Sequence, residues 1–260
     1  MTEKTFTIIT VVRNDLTGFN LTKASLEAQT FNDWEWIIVD GASTDGTAEF
    51  VLSIRDPRVK AISERDQGIY DAMNKGLKAA SGTFVLLMNA GDCFHDQNVL
   101  DTAKRELDAD ADVLFGGSIM RFGEINVRRA PRKLSYIWHG QPGIHQATFF
   151  KRETHLRFQY DRKYKICGDY DVIARMWMAG CQFRTCPLLV NVNDFQSKGA
   201  SSTHKLRLAF EAAQIQRRVL NMSLPFIGCS VFARLLTSAA HRSLTFVSAF
   251  IGSTRRVNAL

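Results

Sequence analysis

A carboxylate follows an apolar run at several points in this sequence, which is where α/β proteins place ligand-binding side chains. Asp40 ends the run Trp36-Ile37-Ile38-Val39, and small residues follow it. A carboxylate in this position can accept hydrogen bonds from a base or ribose. The small residues let the chain turn into a helix whose N-terminus faces the ligand. The same pattern alone is also typical of an ordinary strand-to-helix turn.

Asp66 and Asp92 are similar candidates further along the chain. Asp66 precedes Gly68 at the predicted start of a helix, within the polar run 64–76. Asp92 ends the sequence Asn89-Ala90-Gly91-Asp92, directly after an apolar run. An oxygen ligand there suits Mg²⁺ or Mn²⁺, which usually take only one or two ligands from protein. The alternatives are a solvated helix turn for Asp66 and a turn aspartate for Asp92.

Asp169 and Asp171 open a predicted helix late in the sequence, over residues 169–179. An aspartate at a helix start often accepts a hydrogen bond from a free backbone N–H and caps the helix. We expect that role for one of the two. The other is a candidate general base if its carboxylate faces the cleft.

The elements that must position these residues alternate between strands and helices. Short β-branched or apolar runs predict strands, and apolar residues at three- and four-residue spacing predict helices. Such alternation implies βαβ units and a mainly parallel sheet. A less regular part should contain a strand at 113–116, a basic hairpin at 121–133 and a strand at 188–192. The predicted early strands are 6–12, 36–39, 59–62 and 84–88, and the helices are 16–30, 44–54, 68–80 and 98–107.

The net charge of +7 is confined to the end of the chain. Residues 201–260 contain eight Lys or Arg and one acid, Glu211, whereas residues 1–200 hold 25 basic and 25 acidic residues. We therefore expect no nucleic-acid partner, since that function needs a basic stripe on the folded domain. Five cysteines without CxxC spacing or a histidine cluster argue against zinc and for free thiols in a reducing cytosol. The N-terminal run is too short and too charged for a secretory signal.

Together, these groups of residues resemble the family 2 glycosyltransferases with the GT-A fold, over roughly residues 5–200. The opening TIITVVRN, followed by SLEAQTFNDWEWIIVDGASTDGT, is similar to the N-terminal half of that family. The run SERDQGIYDAMNKGLKAASGTFVLLMNAGD resembles the bacterial branch that builds exopolysaccharide, O-antigen or colanic-acid-type glycans. The resemblance implies an α/β, Rossmann-like, mainly parallel sheet flanked by helices. It implies a catalytic domain over residues 1–200 and a basic amphipathic helical tail over 201–260.

The resemblance also implies roles for individual residues and exposes departures from the family pattern. Gly168 stands where glutamate is common before the catalytic aspartate, and Asn89 replaces one carboxylate of the DxD motif. The QxxRW motif of processive synthases is absent, which favours transfer of a single sugar. A loop around residues 194–201 is similar to one that closes near the diphosphate. The implied roles are nucleotide binding for Arg13, Asp40 and Asp66, metal binding for Asp92, the catalytic base for Asp169, and the acceptor and donor-sugar side for His145 and Gln146.

The implied activity is that of an inverting glycosyltransferase of the hexosyltransferase type, in surface polysaccharide biosynthesis. It would move one sugar from a nucleotide-sugar donor to a hydroxyl of a glycan or lipid-linked acceptor, with Mn²⁺ or Mg²⁺ as cofactor. A UDP-sugar is favoured over a GDP- or dTDP-sugar, although Gly41 replaces an acid often found beside Asp40. One alternative is a non-catalytic nucleotide-sugar-binding module. A sugar-phosphate nucleotidyltransferase is disfavoured because no glycine-rich loop follows the first strand.

Residues 226–251 have the pattern of an amphipathic helix with a basic polar face. Arg234 and Arg242 interrupt every apolar stretch before it reaches the ~18 residues needed to span a bilayer. The helix could lie on the inner face of the cell membrane, and packing on the catalytic domain is the alternative. We therefore expect a cytoplasmic protein, with peripheral attachment to the membrane as one outcome.

Overall fold

The computed structural model of this chain describes residues 4–107, 110–122, 124–194 and 204–234. The loop predicted around residues 194–201 lies outside these residues except for its first position. The tail beyond residue 234 is likewise outside them. No helix within the described ranges is long and apolar enough to cross a membrane.

The described residues contain one sheet of nine strands, in the order β3-β2-β1-β4-β8-β6-β9-β5, with β7 paired to β6. Strands β1 to β4 are all parallel to one another. Strand β8 then pairs antiparallel with both β4 and β6, and β6 is parallel to β9. The strands are β1 Phe6–Val12, β2 Trp34–Asp40, β3 Val59–Ser63, β4 Phe84–Leu87, β5 Cys93–Phe94, β6 Val113–Phe122, β7 Ile125–Arg129, β8 Thr148–Lys151 and β9 Phe183–Asp194.

Helices cover both faces of the parallel part of the sheet. Strand β1 is buried throughout, because its alternate side chains enter two different cores. Ile9 and Val11 belong to one core, and Ile8 and Val12 belong to the other. The helices are α1 Leu16–Glu27, α2 Thr47–Ser53, α3 Ile69–Ala79, α4 Val99–Glu106, α5 Arg152–Arg157, α6 Gly168–Met178 and α7 Lys205–Arg218, with α8 over residues 224–234.

The prediction of an α/β fold with helices flanking the sheet is confirmed, and the sheet is parallel over β1 to β4 and mixed beyond them. Helix α2 begins three residues later than predicted, because Gly46 adopts φ 94° as its N-cap. The Asp45 carboxylate accepts hydrogen bonds from the backbone and hydroxyl of Thr47 at 3.1 and 2.6 Å, which fixes this turn. The sequence analysis missed strands β5 and β8, and β8 makes the second half of the sheet mixed rather than parallel.

Helices α7 and α8 pack against the domain. Ala212 and Ile215 of α7 are buried in the same core as Ile9 and Val11. Gln216 donates hydrogen bonds to the Trp138 carbonyl and to Ser230 of α8, both at 2.7 Å. The domain boundary after residue 200 remains a prediction, but the described part of the segment that follows contacts residues 1–200 directly.

Candidate functional site

Arg13, Asp40 and Asp66 meet at the carboxyl ends of β1, β2 and β3. Asp40 is fully buried, and its Oδ2 accepts hydrogen bonds from the Ser43 N–H at 3.0 Å and the Ser63 hydroxyl at 2.7 Å. Its Oδ1 is buried and has no partner among the described residues. A buried carboxylate oxygen without a partner is costly unless a ligand donates to it. Asp40 is therefore suited to accept a hydrogen bond from a bound molecule.

Gly41 is the point at which these side chains come closest. A Cβ atom added to Gly41 would lie 2.5 Å from Oδ2 of Asp66 and 3.3 Å from Cδ of Arg13. The absence of a side chain therefore allows Asp66 and Arg13 to approach the strand end that carries Asp40. The substitution of the family's common acid by glycine, noted in the sequence, has this geometric consequence.

Asn89 and Asp92 form the second part of the site, in the turn after β4. Oδ2 of Asp92 accepts a hydrogen bond from the Asn89 N–H at 2.9 Å, and Gly91 adopts φ 91° between them. The Thr22 hydroxyl of α1 donates to the Asp92 carbonyl at 2.8 Å, which fixes this turn against the helix. Burial raises the pKa of Asp92 to about 6, against the lowering effect of the charge on His145 and of hydrogen bonds from Asn89 and Gln146.

His145 connects this turn to Asp169. Nδ1 of His145 lies 3.1 Å from Oδ2 of Asp169, and its Nε2 lies 3.3 Å from Nδ2 of Asn89. Burial lowers the pKa of His145, but the charge and hydrogen bond of Asp169 and the charge of Asp92 outweigh burial and raise it. A proton on Nδ1 donates to Asp169 whether the ring is neutral or charged. The other oxygen of Asp169, Oδ1, has no partner within the described ranges.

The Asn89–Asp92 turn fits a divalent cation bound partly by substrate. Oδ1 of Asn89 is buried and unpartnered among the described residues, and it belongs to the same turn as the Asp92 carboxylate. Mg²⁺ and Mn²⁺ are bound through one or two protein oxygens plus substrate phosphates in many phosphate-handling sites. The described part of the chain contains no group of three or more His, Cys, Asp or Glu that could hold a metal alone. The turn therefore suits a cation that arrives with a phosphorylated ligand.

The sequence Gly168-Asp169-Tyr170-Asp171 opens α6, but its aspartates do not cap the helix. Cys167 is the N-cap and no side chain makes the capping hydrogen bond, so the expected aspartate cap is wrong. Oδ2 of Asp171 instead accepts a hydrogen bond from Nε of Arg175 at 2.8 Å, and Asp171 is buried. Only Asp169 of the two reaches the cavity.

Gly168 makes room for Tyr70. A Cβ atom on Gly168 would lie 2.6 Å from the Tyr70 ring, so an aromatic side chain fills the space where a side chain at position 168 would lie. The Tyr70 hydroxyl donates to the Ile166 carbonyl at 2.8 Å, and its ring stacks on Tyr160 with centroids 5.2 Å apart. The departure at Gly168 is therefore compensated by packing.

Glu211 of α7 holds the loop that leads into Asp169, and sequence reasoning missed this role. Its buried carboxylate accepts hydrogen bonds from the N–H groups of Lys165, Ile166 and Cys167 at 2.9 to 3.1 Å. Nε of Arg207 donates to it at 2.9 Å. As the single acid of residues 201–260, Glu211 was conspicuous in the sequence, but its backbone partners lie more than forty residues away.

The polar run 64–76 mostly stabilises structure. Lys75 pairs with Glu64 at 2.8 Å, and Asp71 pairs with Arg162 at 3.2 Å. Asn74 is buried and exchanges two hydrogen bonds with the backbone of Tyr160, at 2.8 and 2.9 Å. At the Asp40 strand end, the Glu64 N–H donates to the Asp40 carbonyl at 3.1 Å, and the Asp66 carboxylate lies beside Gly41.

Several of the candidate residues line one cavity of about 620 Å³. Asn89, Asp92, His145, Gln146 and Asp169 all line it. Arg13, Asp40 and Asp66 do not line it, so the predicted site residues fall into two neighbouring groups. One group suits a nucleotide, and the other surrounds a space large enough for sugar units. The functional roles of these residues remain predictions.

Comparison with known proteins defines the class of this fold. Staphylococcus aureus TarS 1–349, solved in complex with UDP-GlcNAc, superposes with a TM-score of 0.68 at 17% identity, over 89% of this chain and 71% of that one. Mannosyltransferase PcManGT from Pyrobaculum calidifontis, solved with GDP-Man and Mn²⁺, gives a TM-score of 0.65 at 18% identity, over 96% and 81%. The expected GT-A fold is confirmed by these similarities.

Residues 7–173 match the domain described as glycosyl transferase family 2, and the chain belongs to that family. A PGL/p-HBAD biosynthesis glycosyltransferase of Mycobacterium tuberculosis is 31% identical over 155 residues, which are 56% of this chain. The matched part covers 59% of that relative, so the chain spans less than two thirds of the curated relative's length.

Proposed function

We propose that this chain is an inverting glycosyltransferase that transfers a single hexose from a nucleotide-sugar donor. The acceptor is a hydroxyl of a glycan or lipid-linked glycan, in the assembly of a bacterial surface polysaccharide. The observation that carries the proposal is the Asp169 carboxylate, which His145 holds through one oxygen while the other oxygen stays unpartnered among the described residues. The same cavity contains the Asn89–Asp92 turn. Family membership supports the same conclusion.

The nucleotide binds beside β1 to β3 in this proposal. Asp40 accepts a hydrogen bond from the base or ribose through its free Oδ1, and Arg13 stacks near the base. Asp66, whose carboxylate lies beside Gly41, also contacts the nucleotide. A UDP-sugar is the favoured donor, with GDP- and dTDP-sugars as alternatives. In this proposal, Arg13, Asp40 and the space beside Gly41 determine which base the site accepts.

The reaction is a single displacement at the anomeric carbon. Oδ1 of Asp169 takes the proton of the acceptor hydroxyl as that oxygen attacks the anomeric carbon. The new bond forms on the face opposite the nucleoside diphosphate, and the electrons of the breaking carbon–oxygen bond remain on the departing phosphate. Configuration therefore inverts. His145 orients Asp169 by donating to Oδ2, which leaves Oδ1 to act as the base.

Asn89 and Asp92 would hold Mg²⁺ or Mn²⁺ in the donor complex. When bound, the cation supplies positive charge that stabilises the departing diphosphate. Gln146, which lines the same cavity and lowers the pKa of Asp92, would help to orient that carboxylate. The missing carboxylate at Asn89 leaves the cation with one anionic protein ligand, so we expect its binding to depend strongly on the nucleotide diphosphate.

An Asp169→Asn variant tests the proposal. Thermal-shift screening of the wild type against UDP-, GDP- and dTDP-sugars first identifies the donor, because a ligand that binds the folded state raises Tm. Turnover of that donor should then fall by roughly 10²–10⁴-fold in Asp169→Asn, since an amide cannot accept the proton. Donor affinity should stay unchanged. Asp101→Asn, on the exposed face of α4, is the matched control.

Near-wild-type turnover in Asp169→Asn would remove Asp169 from the mechanism. Donor binding without any turnover in the wild type, with or without acceptor extracts, would favour the non-catalytic module instead. Binding of no nucleotide sugar at all would reject the proposed function.

We further propose that the C-terminal segment places the enzyme on an anionic membrane surface. Leu224, Phe226 and Phe232 of α8 are each more than 60% exposed, which is unusual for large apolar side chains. Basic residues on α7 and further arginines after residue 234 supply the positive charge that such a surface attracts. A lipid-linked acceptor would be reached from this position.

A further inference from the structure

The cavity is also lined by basic residues that the proposed reaction does not use. Four basic residues line it: Arg129, Arg132, Lys165 and Arg234. The only carboxylates among the described lining residues are Asp92 and Asp169, which belong to the reaction end. The described part of the cavity wall therefore carries more basic side chains than carboxylates, and neither Arg132 nor Arg234 is among the groups that shift the pKa of Asp92. Such an excess favours a ligand with negative charge.

Arg132 and Arg234 lie together around one aromatic ring. The guanidinium carbon of Arg132 lies 4.1 Å from the centre of the Tyr136 ring. A Cβ atom on Gly140 would lie 3.4 Å from Nη2 of Arg234 and 3.5 Å from Cε1 of the same tyrosine, which places the second guanidinium beside it. The two side chains come from distant parts of the sequence, one before the 3-10 helix Leu134–Trp138 and one from α8.

The charges of Arg132 and Arg234 both affect the pKa of His139. Burial lowers its pKa to about 4, and the positive charges of Arg234 and Arg132 act in the same direction. Nδ1 of His139 lies 2.8 Å from the Ser230 hydroxyl, so the ring is fixed beside α8. A neutral His139 adds no charge of its own, and the two guanidinium groups dominate the electrostatics of this end of the cavity.

The position of this basic end assigns it to the acceptor. The donor nucleotide is bound by Arg13, Asp40 and Asp66, none of which lines the cavity, and its diphosphate lies at the Asn89–Asp92 turn. Beyond Asp169 the cavity is the space for the molecule that supplies the hydroxyl. Guanidinium groups form paired hydrogen bonds with phosphate oxygens and recognise that group better than a lysine does.

We propose that the acceptor carries a phosphate group and that Arg132 and Arg234 bind it, with Arg129 and Lys165 at the rim. This inference rests on the proposed function and extends it to the acceptor's chemistry. The phosphate has two sources, the diphosphate of a lipid-linked glycan or a phosphodiester within a glycan chain. Both present the same anionic oxygens to the arginines.

Calorimetry on the full-length protein, saturated with its nucleotide diphosphate and Mn²⁺, tests the inference. Farnesyl diphosphate represents the lipid-linked source, and glycerophosphoglycerol represents the phosphodiester. We expect at least one probe to bind, and the one with the lower Kd identifies the source. Arg132→Gln and Arg234→Gln should each raise that Kd by ~10-fold or more, because each removes charged hydrogen bonds. Arg128→Gln, a neighbouring arginine whose side chain contacts the Pro187 carbonyl, should bind like wild type.

Three results would overturn the inference. The first is that neither probe binds the wild type. The second is that the variants bind the probe as tightly as the wild type does. The third is that the variants lose as much affinity for the nucleotide diphosphate as for the probe. The last result would assign the basic end to the donor. The Arg132 side chain is exposed, so Arg132→Gln provides the test even if Arg234→Gln fails to fold. Donor turnover that depends on Asp169 without probe binding would reject this inference and keep the proposed function.

Discussion

Glu211→Gln is the perturbation that most directly tests how the C-terminal helices support the reaction centre. The Glu211 carboxylate accepts hydrogen bonds from three consecutive backbone N–H groups, those of Lys165, Ile166 and Cys167, and from Arg207. Asp169 follows two residues after the last of these. Glu211 acts through this loop rather than on substrate, so we describe it as a positioning residue.

The expected loss follows from the number and type of these hydrogen bonds. Glutamine keeps one oxygen but turns an NH₂ group toward N–H donors, so at least one buried donor loses its partner. Hydrogen bonds to charged groups contribute about 1.5–3 kcal/mol each, and we expect the free energy of unfolding to fall by about 3 kcal/mol. For a chain of this size, that loss corresponds to a drop in Tm of roughly 6–12 °C.

The catalytic readout distinguishes positioning from general destabilisation. Displacing the loop by a fraction of an ångström moves Asp169, so kcat should fall by ~10–100-fold at a temperature where the variant is folded. Donor affinity should be unchanged, because Arg13, Asp40 and Asp66 lie on other elements. Glu49→Gln, an exposed glutamate on α2, is the control. The reasoning would be refuted if the variant had the stability and the kcat of the wild type. Equal losses of kcat and donor affinity would also refute it.

The same carboxylate gives the prediction a pH dependence. Burial raises the pKa of Glu211, but the N–H groups of Cys167, Ile166 and Lys165 and the Arg207 side chain outweigh burial and lower it below the ordinary value of 4.5. A lowered pKa in the folded state contributes stability above about pH 4.5 that is lost as the pH falls through the folded-state pKa. Urea unfolding at pH 7 and pH 3.5 should show a steeper decline in wild type than in Glu211→Gln. Parallel declines would contradict this assignment.

Two further substitutions and one deletion test the proposed metal site, the proposed nucleotide site and the proposed membrane attachment. Asp92→Ala should weaken the nucleotide diphosphate by ~10-fold or more with Mn²⁺ but little with EDTA, and equal metal dependence by calorimetry would refute it. Gly41→Ala should weaken nucleotide binding without a large change in Tm, because its Cβ would lie 2.5 Å from Oδ2 of Asp66. Gly228→Ala is the control, because a Cβ atom there would have no atom of the described residues within 4 Å. Deleting residues 235–260 should shift the protein from pellet to supernatant in sedimentation with anionic liposomes and keep nucleotide binding, since each of the three arginines removed contributes about 1 kcal/mol. High salt should cause a similar release, and a full-length protein that never sediments would reject membrane attachment.

Strands β1 and β4 of the first half could be predicted because they are short, largely apolar runs that are buried throughout. The run 6–12 is a buried strand in sequence and in structure, since a parallel strand covered by helices needs no polar side. Strand β8 was missed because four residues flanked by helical turns carry no periodicity of their own. Its place between β4 and β6 is decided by pairing with distant strands.

The site could be predicted only where one residue's position follows from its own strand. Asp40 and Asp92 follow β2 and β4, and their location was evident from the apolar runs that precede them. The distance between His145 and Asp169 depends on how the 3-10 helix His145–Ala147 and α6 pack, which no local pattern specifies. Arg132 and Arg234 were counted as charges in the sequence, but their meeting around Tyr136 is a tertiary contact.

The segment that completes the cavity lies beyond the region matched to the family. That match ends at residue 173, whereas Glu211 and Arg234 come from α7 and α8. The residues proposed to bind the nucleotide and the proposed base are thus encoded in one contiguous stretch, and part of the proposed acceptor space is encoded in the stretch after it. A single crossover between residues 178 and 204 would exchange that wall between homologues while leaving donor chemistry intact. Acceptor preference in such chimeras can therefore diversify by recombination of whole helices, without stepwise mutation of the reaction centre.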